Sequence, residues 1–280
     1  MSYYNILGLD REPFSTSPDP EFFYESREHH AALMRIMIEI RLRRGLSVVL
    51  GDVGTGKTTL SRKLFQMLGA RQDIVFHMIL DPTYDTEELF LDSLIRTFNI
   101  EMKTDKPNIL DFKEVIKNYL FKMGVETNKT VVLLIDEAQK LNSLSLEILR
   151  VLLNYETNEY KLLQVIIMGQ LELLPRLRQM NNLWDRISLR YLLNPLDEDE
   201  TREMIEFRLK KAGYKYGPKF FTDEAVSEIY KNTQGYPRRI AMVCHNALKS
   251  LVMDSQPVVG SQTIKGVVAK EMMYDLELSQ

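Results

Sequence analysis

Residues 51–58 of this 280-residue chain read Gly-Asp-Val-Gly-Thr-Gly-Lys-Thr and match the pattern G-x-x-x-x-G-K-[ST] at every fixed position. A short apolar run, Leu46–Leu50, precedes them, and an amphipathic helical pattern from Lys57 to Gly69 follows. A glycine-rich turn between a strand and a helix surrounds an anion with backbone N–H groups and with the positive end of the helix dipole. The motif therefore predicts a phosphate-binding loop in an α/β fold.

The residues of this loop have distinct expected roles. Lys57 is expected to reach the β- and γ-phosphates of a nucleoside triphosphate, and the Thr58 hydroxyl to complete the shell of a Mg²⁺ ion. Further nucleotide contacts are predicted from Gly51, Asp52, Val53, Gly54, Thr55, Gly56 and Thr59. A glycine-rich turn of purely structural use is the alternative, and the flanking strand and helix patterns argue against it.

A second motif, Asp136-Glu137, directly follows the apolar run Thr130–Ile135. Open parallel sheets bind ligands at the carboxyl ends of their strands, where these two carboxylates are expected. Asp136 suits the Mg²⁺ shell, largely through water, and Glu137 suits the orientation and deprotonation of an attacking water. An acidic pair at this place can also simply cap the next helix. Its combination with the phosphate loop favours the catalytic interpretation.

The order of patterns along the chain predicts two domains. Five strand patterns lie at Leu46–Leu50, Ile74–Leu80, Thr130–Ile135, Leu163–Met168 and Ile187–Leu193. Helical patterns separate them at Lys57–Gly69, Thr86–Phe98, Ile109–Met123 and Ser143–Asn154. This alternation predicts a parallel sheet covered on both faces, with the α/β domain at 46–196. Only helical patterns follow, at Asp197–Ala212, Thr222–Thr233, Arg238–Leu251 and Ser261–Leu276, so residues 197–280 are predicted to form a small helical domain.

The first 45 residues are predicted to form an aromatic arm and one helix that pack on the α/β core. X-Pro pairs hold the arm extended, and its many aromatic side chains need a surface to pack against. A mobile leader is the alternative. The helix is expected to begin after Ser26 and to end near Arg44-Gly45.

Composition narrows the possible partners and location. The 36 Lys and Arg against 39 Asp and Glu give a net charge of −3, which excludes a global basic field for nucleic acid or lipid. The cluster Arg41, Arg43 and Arg44 is either a complement to a helix dipole or a local nucleic-acid patch. A single cysteine, Cys244, favours a reducing compartment. No secretory signal or bilayer-spanning run is visible, so a cytoplasmic protein without an integral membrane segment is predicted.

The phosphate loop, the Asp-Glu strand end, a later strand that ends in a polar residue and a helical lid together resemble the AAA+ ATPases. The pattern at the N-terminus is similar to the ExeA (GspA) type, the ATPase component associated with type II secretion and related pilus systems. That pattern comprises Tyr4-Asn5-Ile6-Leu7-Gly8-Leu9, Pro13-Phe14, Pro18-Asp19-Pro20, Phe23-Tyr24 and Arg27-Glu28-His29. The resemblance covers nearly the whole chain. It implies a P-loop core with a five-stranded parallel sheet, a helical lid, and ATP with Mg²⁺ as cofactors.

Further positions gain a meaning through this resemblance. Gln170 follows the fourth strand pattern, where AAA+ proteins place sensor 1 near the γ-phosphate; many members have Asn there, and helix capping is the alternative. Arg186 is the first candidate for an arginine finger that acts on a neighbouring subunit, and Arg190 is the second. A surface ion pair is the alternative for either arginine. Arg238 resembles sensor 2 at the start of a lid helix, with Arg239 as its rival.

The resemblance implies an ATPase that assembles into a ring or filament and acts on a protein client. Assembly of a secretion or pilus apparatus is the first expectation. ExeA-type proteins generally continue into a membrane segment and a peptidoglycan-binding region, and these 280 residues contain neither. The alternatives are therefore a transposition regulator that coats DNA and recruits a transposase, and a nucleotide-gated adaptor with slow hydrolysis. A degenerate fold used only as a scaffold is the remaining alternative, which the intact motifs disfavour.

Overall fold

The computed structural model describes residues 2–17, 19–102, 104, 106–215 and 219–278, with side chains up to residue 270. Pro18, which belongs to the N-terminal pattern, lies outside the described residues. The chain forms two compact units. The first comprises Met1–Ser26, Gly54–Gly56 and Asn194–Gln280, and the second comprises Arg27–Val53 and Lys57–Leu193.

The second unit is built on a five-stranded parallel sheet, as predicted. Its strands are β1 (Leu46–Leu50), β2 (Ile74–Ile79), β3 (Thr130–Ile135), β4 (Leu163–Gly169) and β5 (Ile187–Leu192). They lie in the order β2-β3-β4-β1-β5, and each neighbouring pair is parallel. The inner strands are almost entirely buried, which explains their continuous apolar sequences. Because all strands run the same way, the residues that follow them meet at one edge of the sheet.

The helices agree with the predicted patterns to within a few residues at their ends. In chain order they are α1 (Tyr3–Ile6), α2 (Arg27–Arg41), α3 (Lys57–Gly69), α4 (Glu87–Thr97), α5 (Ile109–Phe121), α6 (Ser143–Leu152), α7 (Leu173–Gln179), α8 (Asn181–Trp184), α9 (Glu198–Lys211), α10 (Asp223–Thr233), α11 (Pro237–Met253) and α12 (Ser261–Leu278). Short 3₁₀ helices lie at Pro20–Phe22 and Ala138–Lys140, and a π-helical turn, Lys122–Glu126, continues α5. The sequence did not predict α1, α7 and α8, because helices of four or seven residues are too short for a repeated apolar period.

The alternation of side chains along the strands distributes the helices over the sheet. Val131, Leu133 and Ile135 of β3 belong to one apolar cluster with buried residues of α4, α5 and α6. The helices α2 and α3 contact each other and strands of the same sheet, and the Ser61 hydroxyl of α3 lies 3.0 Å from the Met168 sulfur of β4. Burial of each large apolar side chain contributes about 1.5–3 kcal/mol, so this core holds the strand ends in place.

The first unit is helical apart from a single bridge between Phe221 and Val259 in its described part. Its core combines residues of α9–α12 with Leu9, Phe14 and Phe22 of the N-terminal arm. In the structure, the arm is part of the helical unit. Residues up to Ser26 join the helical unit, whereas α2 joins the sheet unit. The physical reason is the burial of the arm's aromatic rings in the helical core, a pairing that the linear sequence does not reveal.

Replacement of Phe14 tests this placement of the arm. The ring is 1% exposed and packs edge-on against Phe221, with 6.1 Å between the ring centres. We expect Phe14→Ala to destabilise the helical unit by about 3–5 kcal/mol, because it removes a buried ring and leaves a cavity. Urea unfolding followed by circular dichroism measures the loss. Phe65→Ala, at a ring that is 47% exposed, is the control with a smaller effect; equal stability of both variants would contradict the placement.

Candidate functional site

The phosphate loop joins the end of β1 to the start of α3. Gly54 and Gly56 have φ values of +85° and +96°, a region that residues with a side chain rarely adopt. These two glycines let the backbone turn between strand and helix. Within the motif Gly51 and Thr55 are buried, Thr58 and Thr59 are half-buried, and Asp52 and Val53 are exposed.

Lys57 lies inside the loop that it is predicted to serve. Its Nζ donates hydrogen bonds to the carbonyl oxygens of Gly51 (2.9 Å) and Asp52 (2.8 Å). Burial lowers the pKa of Lys57, and the negative charges of Glu137, Asp136 and Asp52 oppose this shift. The ammonium group is therefore close to both predicted catalytic carboxylates. Its donors can transfer from carbonyl to phosphate oxygens without leaving the loop.

Asp136 is the buried carboxylate of the site. It is 1% exposed, and its Oδ1 accepts a 2.9 Å hydrogen bond from the backbone N–H of Glu137. Oδ2 is buried and has no hydrogen-bond partner among the described residues. Burial raises the pKa of Asp136, while the Glu137 N–H and the nearby Thr58 and Ser61 hydroxyls oppose the shift. A buried oxygen without a donor, close to Thr58, suits a hydrated Mg²⁺ ion, because this ion prefers carboxylate and water oxygens.

Glu137 has a left-handed backbone conformation, with φ 51° and ψ 34°. This conformation costs about 1–3 kcal/mol for a residue with a side chain and occurs often at functional sites. The Glu137 carboxylate accepts a 2.7 Å hydrogen bond from the side-chain amide of Gln139. The alternative of a helix cap is not observed: the 3₁₀ turn that follows has no side-chain capping bond from Glu137.

Gln170 lies directly after β4, at the same edge of the sheet as the acidic pair. Its backbone N–H donates to the side-chain oxygen of Gln139 (3.1 Å). The N-cap residue of α7 is Glu172, which makes no side-chain capping bond, so Gln170 does not cap that helix. The edge of the sheet thus brings together the loop lysine, both carboxylates and the residue at the sensor 1 position.

The two candidate finger arginines differ in their surroundings. The Arg190 guanidinium lies 4.1 Å from the ring centre of Trp184 and donates to the Trp184 carbonyl (2.8 Å). No described residue forms a hydrogen bond or ion pair with the Arg186 guanidinium. The charge of Arg186 helps to lower the pKa of Glu147, which is lowered chiefly by hydrogen bonds from Arg150.

Arg186 and the phosphate loop lie at opposite ends of β1. Ile187 is aligned with Leu46 at the start of β1, and Gly51 follows its end. The five residues of β1 span roughly 16 Å, which is longer than an arginine side chain. Arg186 lines an open polar cleft of about 670 Å³ together with Arg43, Arg44 and Lys161. It therefore does not reach the phosphate loop of its own sheet.

Arg238 and Arg239, both at the start of α11, also differ. The Arg239 guanidinium packs on the Tyr236 ring, 5.0 Å from its centre. The Arg238 N–H donates to the Gly54 carbonyl (3.3 Å), a contact within the first unit. Of the two arginines, Arg238 is therefore the one with a hydrogen bond to a residue of the phosphate loop.

Two residues near the site were missed by sequence reasoning, Gln139 and Arg176. Gln139 bonds both Glu137 and Gln170, and Arg176 of α7 donates to the carbonyl oxygens of Leu141 (2.5 Å) and Gln139. The only sequence signal for Gln139 is its position two residues after Glu137. Arg176 has no such signal, because its acceptors are backbone atoms of a segment 35 and 37 residues away.

No helix in the described part of the chain is long and apolar enough to cross a membrane. Within residues 2–278, apart from the undescribed positions, no group of three or more His, Cys, Asp or Glu side chains could hold a metal ion. A Mg²⁺ ion at Thr58 and Asp136 would therefore depend on phosphate and water for its other ligands.

The sequence matches an AAA domain family over residues 40–177. Residues 40–177 are therefore an AAA domain, and they include the phosphate loop, the acidic pair and four of the five strands described above. One relative is general secretion pathway protein A of Aeromonas hydrophila, 38% identical over 248 residues, which are 88% of this chain and 44% of that protein. The chain thus spans less than half the length of this relative.

Solved structures share the fold. The ORC2 protein of Aeropyrum pernix, in ADPNP-ADP complexes, superposes with a TM-score of 0.67 at 16% identity over 93% of this chain and 71% of that chain. Drosophila ORC bound to DNA gives a TM-score of 0.67 at 18% identity, over 97% of this chain and 66% of that chain. At such identities the similarity establishes the architecture alone.

Proposed function

We propose that the chain binds ATP with Mg²⁺ and hydrolyses it at the sheet edge formed by the phosphate loop and the acidic pair. The observation that carries this proposal is the position of the Lys57 ammonium group inside the loop and within the electrostatic reach of Asp136 and Glu137. Lys57 and the loop N–H groups bind the phosphates, and Thr58 and Asp136 hold the ion. Bound Mg²⁺ supplies charge neutralisation at the β- and γ-phosphates. Glu137 orients the attacking water and accepts its proton.

Phosphate release by the purified chain tests this proposal. We expect phosphate release that requires both ATP and Mg²⁺. Release should stop when EDTA removes the ion, because Asp136 and Thr58 act on the nucleotide only through that ion. Calorimetric titration with ATP measures binding separately from turnover. A chain that binds no adenine nucleotide in the presence of Mg²⁺ contradicts the proposal.

The site is incomplete in one subunit if an arginine finger contributes to it, so we propose a head-to-tail homo-oligomer, a ring or a filament. Arg186 is the preferred finger, because Arg190 is held on Trp184 by stacking and a hydrogen bond. Arg186 lies at the opposite end of β1 from the phosphate loop, which leaves it able to act only on a neighbouring subunit. Within the helical unit, Arg238 is the preferred sensor 2 residue, since its backbone contacts Gly54.

Mixing two inactive variants tests the finger. The Glu137→Gln variant lacks the base, and the Arg186→Ala variant lacks the finger. Where the two meet, the Arg186→Ala subunit can supply Glu137 and the Glu137→Gln subunit can supply Arg186, so that interface contains one complete site. We expect an equimolar mixture to recover about a quarter of the activity of the parent chain, the fraction of interfaces with the productive arrangement. Phosphate release by the mixture measures this. The matched control is Arg190→Ala, which we expect to be active without a partner variant. If the mixture of Glu137→Gln and Arg186→Ala recovers no activity, Arg186 is not part of the site.

For the client, we propose a component of a secretion or pilus apparatus. The similarity to general secretion pathway protein A over 88% of the chain supports this assignment. A cytoplasmic location stays a prediction, supported by the single free cysteine, Cys244, which is buried. The same site is compatible with slow or partner-dependent ATP hydrolysis. In that case, an attached client responds to whether ATP or ADP is bound, through changes in subunit packing.

DNA-dependent assembly, as in a transposition regulator, is the second candidate function. It is supported by an open cleft lined by four basic residues, Arg43, Arg44, Lys161 and Arg186, although Glu156, Glu159 and Asp185 line the same cleft and leave only a small positive excess there. Negative-stain imaging with a non-hydrolysable ATP analogue, with and without duplex DNA, separates the candidates. Filaments that form only on DNA support the transposition candidate, and rings without DNA support assembly of an apparatus.

A further inference from the structure

The 3₁₀ turn after β3, Ala138–Lys140, carries a side chain that joins two parts of the site. The Gln139 amide nitrogen donates to Oε2 of Glu137 (2.7 Å), and its oxygen accepts from the Gln170 N–H (3.1 Å). These partners determine the amide orientation, because a flipped amide would face the carboxylate with its oxygen and the N–H with its NH₂ group. One side chain therefore spans from the proposed base to the end of β4.

A second attachment joins the same two segments. Arg176 of α7, the helix after Gln170, donates to the carbonyl oxygen of Leu141 (2.5 Å) and to that of Gln139 itself. The Arg176 guanidinium binds backbone carbonyl groups of the turn, whereas the Gln139 side chain binds the Glu137 carboxylate and the Gln170 N–H. With two links of different direction, the turn after β3 and the segment after β4 are restrained relative to each other.

The backbone of Glu137 makes these restraints consequential. Its left-handed conformation fixes the direction of the Cα–Cβ bond, but the side-chain torsions stay free to rotate, so the direction of the carboxylate depends on the hydrogen bonds that it accepts. Among the described residues, only Gln139 donates a side-chain hydrogen bond to that carboxylate. A shift of the Gln170 backbone moves the acceptor side of the Gln139 amide, and with it the donor that orients Glu137.

We infer that Gln139 is a positioning residue that orients the Glu137 carboxylate and couples it to the backbone at Gln170. This inference rests on the proposed function, since it assigns Gln139 to the hydrolysis step and not to nucleotide binding. Among the described residues, the Gln139 side chain forms hydrogen bonds with Glu137 and Gln170, and none with Lys57 or with a backbone N–H of the phosphate loop. Its loss should therefore affect turnover and leave ATP affinity unchanged.

The test compares three variants in the full chain. Gln139→Leu has a similar size and makes neither hydrogen bond; Gln139→Glu has the same shape and can still accept from the Gln170 N–H, but in its ionised form cannot donate to Glu137. We expect both to lower kcat by about tenfold to a hundredfold, the range for one hydrogen bond to a charged group, with the ATP Kd changed less than about twofold. Gln179→Leu, at an exposed glutamine of α7, is the matched control and should retain full activity.

A combined variant separates positioning from a structural role. In a Glu137→Gln background, single-turnover hydrolysis should be no slower with Gln139→Leu than without it, because the side chain that Gln139 orients is already inactive. An additional decrease in that background, a weaker ATP Kd, or a large drop in Tm for both Gln139 variants overturns the inference. Normal kcat for Gln139→Leu overturns it while the ATPase proposal stands. A parent chain without ATPase activity overturns both.

Discussion

Glu137→Gln is expected to bind ATP as tightly as the parent chain and to hydrolyse it about 10²–10⁴ times more slowly. The amide has the shape of the carboxylate and cannot accept the proton of the attacking water. Binding survives because the loop, Lys57 and Thr58 are untouched. Phosphate release under saturating ATP measures the loss, and calorimetric titration measures the affinity.

The control for this variant is Glu172→Gln, at an exposed glutamate just before α7 that makes no capping bond. It changes the net charge by the same amount and should leave turnover unchanged. If Glu137→Gln turned over ATP at the parent rate, another group would have to accept the proton, and the assignment of Glu137 as the base would be wrong.

Lys57→Ala is expected to weaken ATP binding by about a hundredfold or more, because charge-assisted hydrogen bonds to phosphate are each worth about 1.5–3 kcal/mol. The change also leaves Asp136 and Glu137 without their cation, so these carboxylates repel the triphosphate. Fluorescent-nucleotide titration measures the affinity. Lys63→Ala, in the same helix α3, is the control for a lost positive charge; tight binding by Lys57→Ala would remove the loop from the nucleotide site.

The buried position of Lys57 also predicts the direction of a pH effect. Burial lowers its pKa, so the ammonium form is lost at a lower pH than for an exposed lysine. ATP affinity should therefore fall as the pH rises towards that lowered pKa, and it should be restored on return to neutral pH. Titrations across the alkaline range measure this, with circular dichroism to verify that the fold persists.

Much of the fold could be predicted, because its signals are local. The strand Thr130–Ile135 has the predicted bounds, and α3 begins at the lysine of the loop. Continuous apolar runs are typical of buried parallel strands. Amphipathic periods are typical of the helices that cover such strands. The partners of the arm could not be predicted, because Phe14 and Phe22 pack with residues about two hundred positions later.

Within the site, the motif residues were predictable and their connections were not. Both acidic residues and the loop lysine are recognisable from spacing, whereas the preference for Arg186 over Arg190 depends on a stacked tryptophan and a carbonyl. The connections of Gln139 likewise could not be predicted from the sequence. Its amide matters because two segments that are 31 residues apart meet at neighbouring strand ends.

The sequence by itself determined a phosphate-binding α/β chain with an acidic strand end and a helical region after it, since each of these depends on neighbours within a few positions. Only the tertiary structure decided which polar groups are buried without partners, which arginine is held by other groups, and which side chain orients Glu137. The reason is that hydrogen bonding and desolvation depend on the atoms packed around a group, and most of those atoms come from strands and helices distant in the chain.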